Sequence, residues 1–121
     1  MGNPFVHVEL HTQDLAKAKK FYSALFDWKT KDVPMGPGGS YTMIEVGEGT
    51  GGGMMKSPMP GVAAQWVAYV GVSNVAAATK KAEKLGAKII QGKTEVGGFG
   101  WFSTIADPTG AVLALWQPKK K

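Results

Sequence analysis

Apolar and polar residues alternate along Val6-His7-Val8-Glu9-Leu10, the period-two pattern of a half-buried strand. A few residues later the period changes. Leu15, Ala18, Phe21, Tyr22, Leu25 and Phe26 fall on one face of a helix, and Asp14 just before them has the side chain of an N-cap. Three strand-like segments follow at 28–33, 41–46 and 52–56. They are separated by Pro34-Met35-Gly36-Pro37-Gly38-Gly39 and by the glycine-rich stretch 47–51.

The same order then recurs. Residues 66–72 are strand-like, Asn74 is a cap, and Val75, Ala78, Ala82 and Leu85 form an apolar stripe before Gly86 as a stop. Strand candidates follow at 87–91, 101–106 and 112–117, the last two joined by Asp107-Pro108-Thr109-Gly110, which suits a type I turn. Asn74 lies sixty residues after Asp14, and Val75, Ala78, Ala82 and Leu85 lie sixty after Leu15, Ala18, Tyr22 and Leu25. Such a unit is too long for a solenoid repeat and too short to form a core alone. The expectation is one domain over 1–121, made of two βαβββ modules at about 4–57 and 65–118, with 57–64 as the link.

Composition narrows the function classes. The apolar runs are all shorter than the roughly 20 residues a membrane-spanning helix needs. The N-terminus leads directly into a strand with no basic and apolar leader, and cysteine is absent, so disulfides and thiolate chemistry drop out and a reducing cytoplasm is expected. The net charge of +5 raises the question of nucleic acid, but Lys119, Lys120 and Lys121 are terminal. Lys17, Lys19, Lys20, Lys80, Lys81 and Lys84 occupy helix positions that read as solvent faces. Without a recognition module this is a generally basic surface, and neither nucleic acid nor membrane is an expected partner. Gly51-Gly52-Gly53 and Gly97-Gly98-Phe99-Gly100 lack the Gly-Lys-Ser/Thr of a phosphate loop.

Val6 to Leu10, Thr12-Gln13-Asp14, Phe21-Tyr22, Leu25-Phe26-Asp27-Trp28 and Ala106-Asp107-Pro108-Thr109-Gly110 together resemble the vicinal oxygen chelate superfamily of glyoxalases, bleomycin-resistance proteins and dioxygenases. The resemblance spans nearly the whole chain. It implies an α+β fold in which two tandem βαβββ modules form a curved mixed-sheet cup with helices outside, and it makes a homodimer an expectation. Activity does not follow, because the fold hosts isomerases, dioxygenases, epimerases, thiol transferases and plain binders.

By the same resemblance, metal-dependent members draw ligands from the first and last strand of each module. Those stations fall here on His7, Met54, Val67 and Ala114, and the sixty-residue repeat relates them in pairs. A catalytic divalent ion needs several N, O or S donors, which valine and alanine lack and a thioether supplies weakly. No metal or other cofactor is therefore expected, and a non-standard metal site would have to recruit Glu9 or Glu45 through a shifted register.

Alternation puts His7, Glu9 and His11 on one face of the first strand, opposite Val6, Val8 and Leu10. Val67, Tyr69 and Gly71 take the matching face of the second copy, with Ala114 and Trp116 on the last strand. Together with Met54 and one of Trp101 or Phe102, these give an apolar, aromatic lining with a few polar groups, suited to a small molecule. The favoured reading is a metal-free protein binding a partly aromatic or apolar ligand. The alternative is a lyase, isomerase or dioxygenase-type enzyme using His7 and Glu9 for proton transfer, or a non-standard metal.

Overall fold

The computed structural model describes residues 2–34, 40–57, 61 and 63–119. In chain order the elements are β1 (Phe5–Thr12), α1 (Leu15–Leu25), β2 (Lys29–Pro34), β3 (Ser40–Glu45), β4 (Gly52–Lys56), β5 (Gln65–Gly71), α2 (Val75–Lys84), β6 (Lys88–Val96), β7 (Gly100–Ala106) and β8 (Val112–Pro118). This is βαβββ twice. The predicted turn over 34–39, most of the predicted link over 57–64, and Lys120 and Lys121 lie largely or wholly outside the described residues.

The chain forms two compact units, 7–67 and 68–121, the latter including residues 1–6. In the first, the strands run in the order β2-β3-β4-β1, with β4 parallel to β1 and the other pairs antiparallel. In the second the order is β6-β7-β8-β5, again with one parallel pair, β5 with β8. Strand β6 carries two irregularities of register, between Ile89 and Gln91 and between Gln91 and Thr94. The start of the chain is tied into this second unit, where the Gly71 amide donates to the Pro4 carbonyl at 2.8 Å and the Asn3 amide donates to the Gly71 carbonyl at 2.9 Å.

Capping follows the sequence. The Asp14 carboxylate accepts the Lys17 amide at 3.0 Å, and the Asn74 side-chain oxygen accepts the Ala77 amide at 2.9 Å, each satisfying a donor the first helical turn leaves over. Gly86 ends α2 with φ +105°, a conformation in which a side chain would be strained. At Asp107-Pro108-Thr109-Gly110 the Gly110 amide donates to the Asp107 carbonyl, and the Asp107 carboxylate accepts the Thr109 amide and hydroxyl and the Ala111 amide. Those bonds, the Thr109 hydroxyl foremost, hold its carboxyl below the ordinary range.

The helix stripes needed correction. In the first unit Leu10, Ile44 and Met54 form the buried cluster, with Leu15, Ala18, Tyr22, Trp28 and Val46 packed against it. Phe21, Leu25 and Phe26, read as part of the same apolar stripe, are exposed. Of the five stripe residues on the helix only Leu15, Ala18 and Tyr22 pack on the cluster, and Phe26 lies beyond the helix as its C-cap in an extended conformation. In α2 the buried positions are Val75 and Thr79, while Leu85, the last of its stripe, is exposed.

Candidate functional site

Each unit presents one sheet face to its helix and one away from it, and strand pairing assigns every candidate residue to a face. In the first unit Leu10 aligns with Met54 and both belong to the cluster under α1. Glu9 aligns with Gly53, which places His7, Glu9, His11 and Gly53 on the opposite face. Met54 is thus a fully buried core residue and does not share a face with His7. The expected lining is corrected at this position.

The cause is a one-residue slip in the repeat. Tyr69 follows Glu9 by sixty residues, but its neighbour Ala114 follows Gly53 by sixty-one. A shift of one residue in a strand exchanges the two faces, so the station paired with Ala114 is a glycine.

The face carrying His7 holds a chain of four polar side chains. Tyr41 donates its hydroxyl proton to Glu9 Oε2 at 2.6 Å, and His7 Nε2 lies 2.7 Å from the same hydroxyl. Because a phenol has one proton to give, His7 must donate from Nε2. His11 Nε2 donates to the other carboxylate oxygen, Glu9 Oε1, at 2.7 Å. Glu9 is buried, and both of its oxygens are engaged inside the protein. Burial pulls the His7 pKa below its ordinary 6.5, and the nearby Glu9 charge offsets this only in part, so the imidazole is neutral near pH 7.

Tyr41 was not among the residues the sequence singled out. Its signal is Gly53. A Cβ placed there would stand 2.0 Å from the Tyr41 hydroxyl oxygen, so the tyrosine reaches Glu9 only because it crosses β4 where there is no side chain.

In the second unit the Thr79 hydroxyl on α2 meets Ser103, which aligns with Leu115 and fixes the helix-facing side. Tyr69 aligns with Ala114, and Phe102 aligns with Trp116, on the side away from α2. Tyr69 sits 6.4 Å from Phe102 and 6.5 Å from Trp116 between ring centroids, the latter edge to face. The choice between Trp101 and Phe102 is resolved by this pairing. Phe102 joins the aromatic group, whereas Trp101 lies on the other face with the Lys93 and Lys119 ammonium groups each 5.1 Å from its ring centroid. Val67, the last residue of the first unit, is buried.

These stations do not fit a divalent metal. His7 bonds to Tyr41, Gly53 has no side chain, and Val67 and Ala114 carry no donor atom. Among the described residues no group of three or more His, Cys, Asp or Glu side chains is arranged to hold a metal ion.

Fold and site together define a duplicated βαβββ protein with a hydrogen-bonded His/Tyr/Glu/His chain in one copy and an aromatic group in the other. The chain belongs to the Glyoxalase/Bleomycin resistance protein/Dioxygenase superfamily, whose model matches residues 5–115. It is 37% identical over 120 residues to the Mycobacterium tuberculosis protein named "Putative glyoxylase CFP32", covering 93% of this chain and 45% of that one. It is 30% identical over 128 residues to the "Anthracycline biosynthesis protein DauV" of Streptomyces sp. strain C5, covering 90% of this chain and 45% of that one. The chain therefore spans just under half the length of these relatives. Among solved structures, a hypothetical protein from Bacillus halodurans C-125 superposes with a TM-score of 0.72 at 14% identity, covering 100% of this chain and 98% of that one. That likeness is one of fold.

Proposed function

We propose that this chain is a small-molecule-binding protein that works without a resident metal and holds a flat, largely apolar ligand against Tyr69, Phe102 and Trp116. The observation that carries this reading is the aromatic group itself. Three rings converge on the face away from α2, beside the small side chain of Ala114. The relative named for anthracycline biosynthesis supports it, since anthracyclines are fused aromatic ring systems. Engagement of both Glu9 oxygens within the protein argues against that carboxylate as a poised base and favours binding over proton-transfer catalysis by His7 and Glu9.

The test is a titration with 1,4-dihydroxyanthraquinone followed by calorimetry and thermal melting. Binding to the folded state alone raises the melting point by mass action, and Trp116→Ala should weaken binding about tenfold or more. No melting shift with this or smaller aromatics would overturn the reading. So would a stoichiometric divalent metal in the purified protein whose removal abolishes binding, or turnover of a substrate that disappears in His7→Ala.

A further inference from the structure

The first unit carries a group of aromatic rings that its core uses only in part. Tyr22 stands 4.9 Å from Phe21, 5.8 Å from Trp28 and 5.4 Å from Trp66 between ring centroids, and Phe26 stands 4.8 Å from Trp28, so the five rings are continuous. Leu25 borders them, one helical turn beyond Phe21 on α1. Tyr22 and Trp28 pack on the buried cluster, but Phe21 and Leu25 are each 57% exposed, Phe26 46% and Trp66 38%.

The second module shows that the fold does not require this patch. Sixty residues after Phe21 and Phe26 stand Lys81 and Gly86, both exposed, and of the three exposed apolar residues at this end of α1 only Leu25 has an apolar counterpart, Leu85. At about 200 Å² for a whole side chain, the exposed parts of Phe21, Leu25, Phe26 and Trp66 come to about 400 Å². That is about half of the roughly 800 Å² each partner gives to a standard interface, and it is made of the aromatic residues that anchor such interfaces.

The charges on α1 identify what would cover it. Lys17, Lys19 and Lys20 crowd the first half of the helix, whose first turn holds no acidic residue and whose last turn holds no basic one, whereas α2 has Lys81 and Lys84 in its last turn. The negative end of the α1 dipole thus lacks the cations that α2 supplies for itself. Lys17, Phe21 and Leu25 follow one another at intervals of four residues, all exposed, with Phe21 in the middle. Two α1 helices crossing antiparallel at Phe21 would set Lys17 of each beside Leu25 of the other, about 6 Å along the axis from the crossing. The lysine stem then covers the leucine, and its ammonium meets the last carbonyls of the facing helix. Each contact is made twice, as a two-fold interface requires. The strand edges are poorer candidates, because β2 carries Lys29, Lys31 and Pro34 and β6 has its two irregularities of register. We infer that the aromatic patch on α1 seats a second copy of this chain, with the two α1 helices antiparallel across it.

Sedimentation velocity on the purified chain is the test, and the expected mass is twice that of one chain. Phe21→Lys copies the residue that α2 carries at that station and should weaken association about thirtyfold or more. Leu25→Lys should act in the same direction, and both variants should keep a cooperative urea transition, since the side chains they alter are exposed. Lys17→Glu should weaken association about tenfold, by an amount that shrinks as salt is added. Leu85→Lys, at the exposed end of α2, should leave the mass unchanged.

A single-chain mass at every concentration would overturn the inference, as would a dimer that persists in both folded lysine variants or one that Leu85→Lys dissociates. A dimer indifferent to Lys17→Glu would overturn the antiparallel arrangement. Binding to phosphatidylserine vesicles that Phe21→Lys abolishes, with no dimer in solution, would assign the patch to a membrane instead of a second copy.

Discussion

The two modules share a backbone plan and differ at almost every station on the face away from the helix. His7, Glu9, Tyr41 and Gly53 in the first correspond by strand pairing to Val67, Tyr69, Phe102 and Ala114 in the second. One copy thus carries an imidazole, a carboxylate and a phenol joined by hydrogen bonds, and the other carries apolar and aromatic groups in the same places. The exchange of Gly53 for Ala114 goes with the exchange of Tyr41 for Phe102. The phenol must lie across its neighbouring strand to reach Glu9, and the phenyl ring has no such partner to reach. A duplicated scaffold has kept its core rules while the open faces have diverged into a polar device and an apolar one.

The comparison breaks most severely at Gly52, whose counterpart Leu113 carries a side chain. Gly52→Ala drives a methyl group into the Val8 backbone, which cannot swing aside as a side chain would, and should cost about 3 kcal/mol in urea unfolding. A loss no larger than that of an exposed Gly→Ala would show that the parallel β1–β4 pair is looser than described. Next in size is Tyr41→Phe, which makes the first module chemically like the second. It removes a hydrogen bond to a buried carboxylate and should cost about 2 kcal/mol. Gly53→Ala should produce a similar loss by displacing the tyrosine, and the two losses should not add.

The pH dependence of stability sharpens the same contrast. His7 titrates below 6.5 when folded, chiefly because it is buried, so the unfolded chain binds its proton first as acid is added. The stabilisation from keeping this imidazole neutral is whole above pH 6.5 and is lost as the pH falls through the folded value. Val67 contributes nothing of the kind. In His7→Gln the melting point should fall less steeply below pH 6.5 than in the parent, and parallel curves would show that His7 is not buried as described. Asp32, held low by its bond from Thr42, acts in a separate window below its ordinary 3.8.

The sequence made the order of elements legible, because caps at Asp14 and Asn74 and the change from period two to helical period are local signals. Residue types alone likewise show that Val67 and Ala114 have no donor atom to offer a metal. What it could not carry was the phase between distant strands. Residues 41–54 precede their counterparts at 102–115 by sixty-one and not by sixty, and no residue type marks the slip. Met54 was therefore assigned to the wrong face, and Tyr41 was passed over, since its role depends on a glycine in another strand. Trp101 and Phe102 are neighbours with equal claims, and only pairing with β8 separates them.

The smallest effects belong to the polar bridge between helix and sheet, which the two modules make differently. In the first, Lys19 on α1 reaches Asp32, and Asp32 accepts the hydroxyl of the buried Thr42 at 2.7 Å. In the second, the corresponding positions are Thr79 and Ser103, both buried and bonded to each other at 2.7 Å. Thr79 gives its proton to the Val75 carbonyl, so Ser103 must be the donor between them.

An asymmetry follows. Thr79→Val strands a buried hydroxyl proton and should cost about 1–2 kcal/mol, whereas Ser103→Ala leaves Thr79 still donating and should cost about 0.5–1 kcal/mol. The double variant should cost less than the sum, because nothing is then left unpaired. Lys19→Met, which breaks only an ion pair open to solvent, should leave the melting midpoint almost unmoved. If Ser103→Ala proved the more costly of the two hydroxyl variants, the donor assignment would be reversed. If Lys19→Met matched Thr79→Val, the two bridges would be energetic equivalents despite their difference in burial.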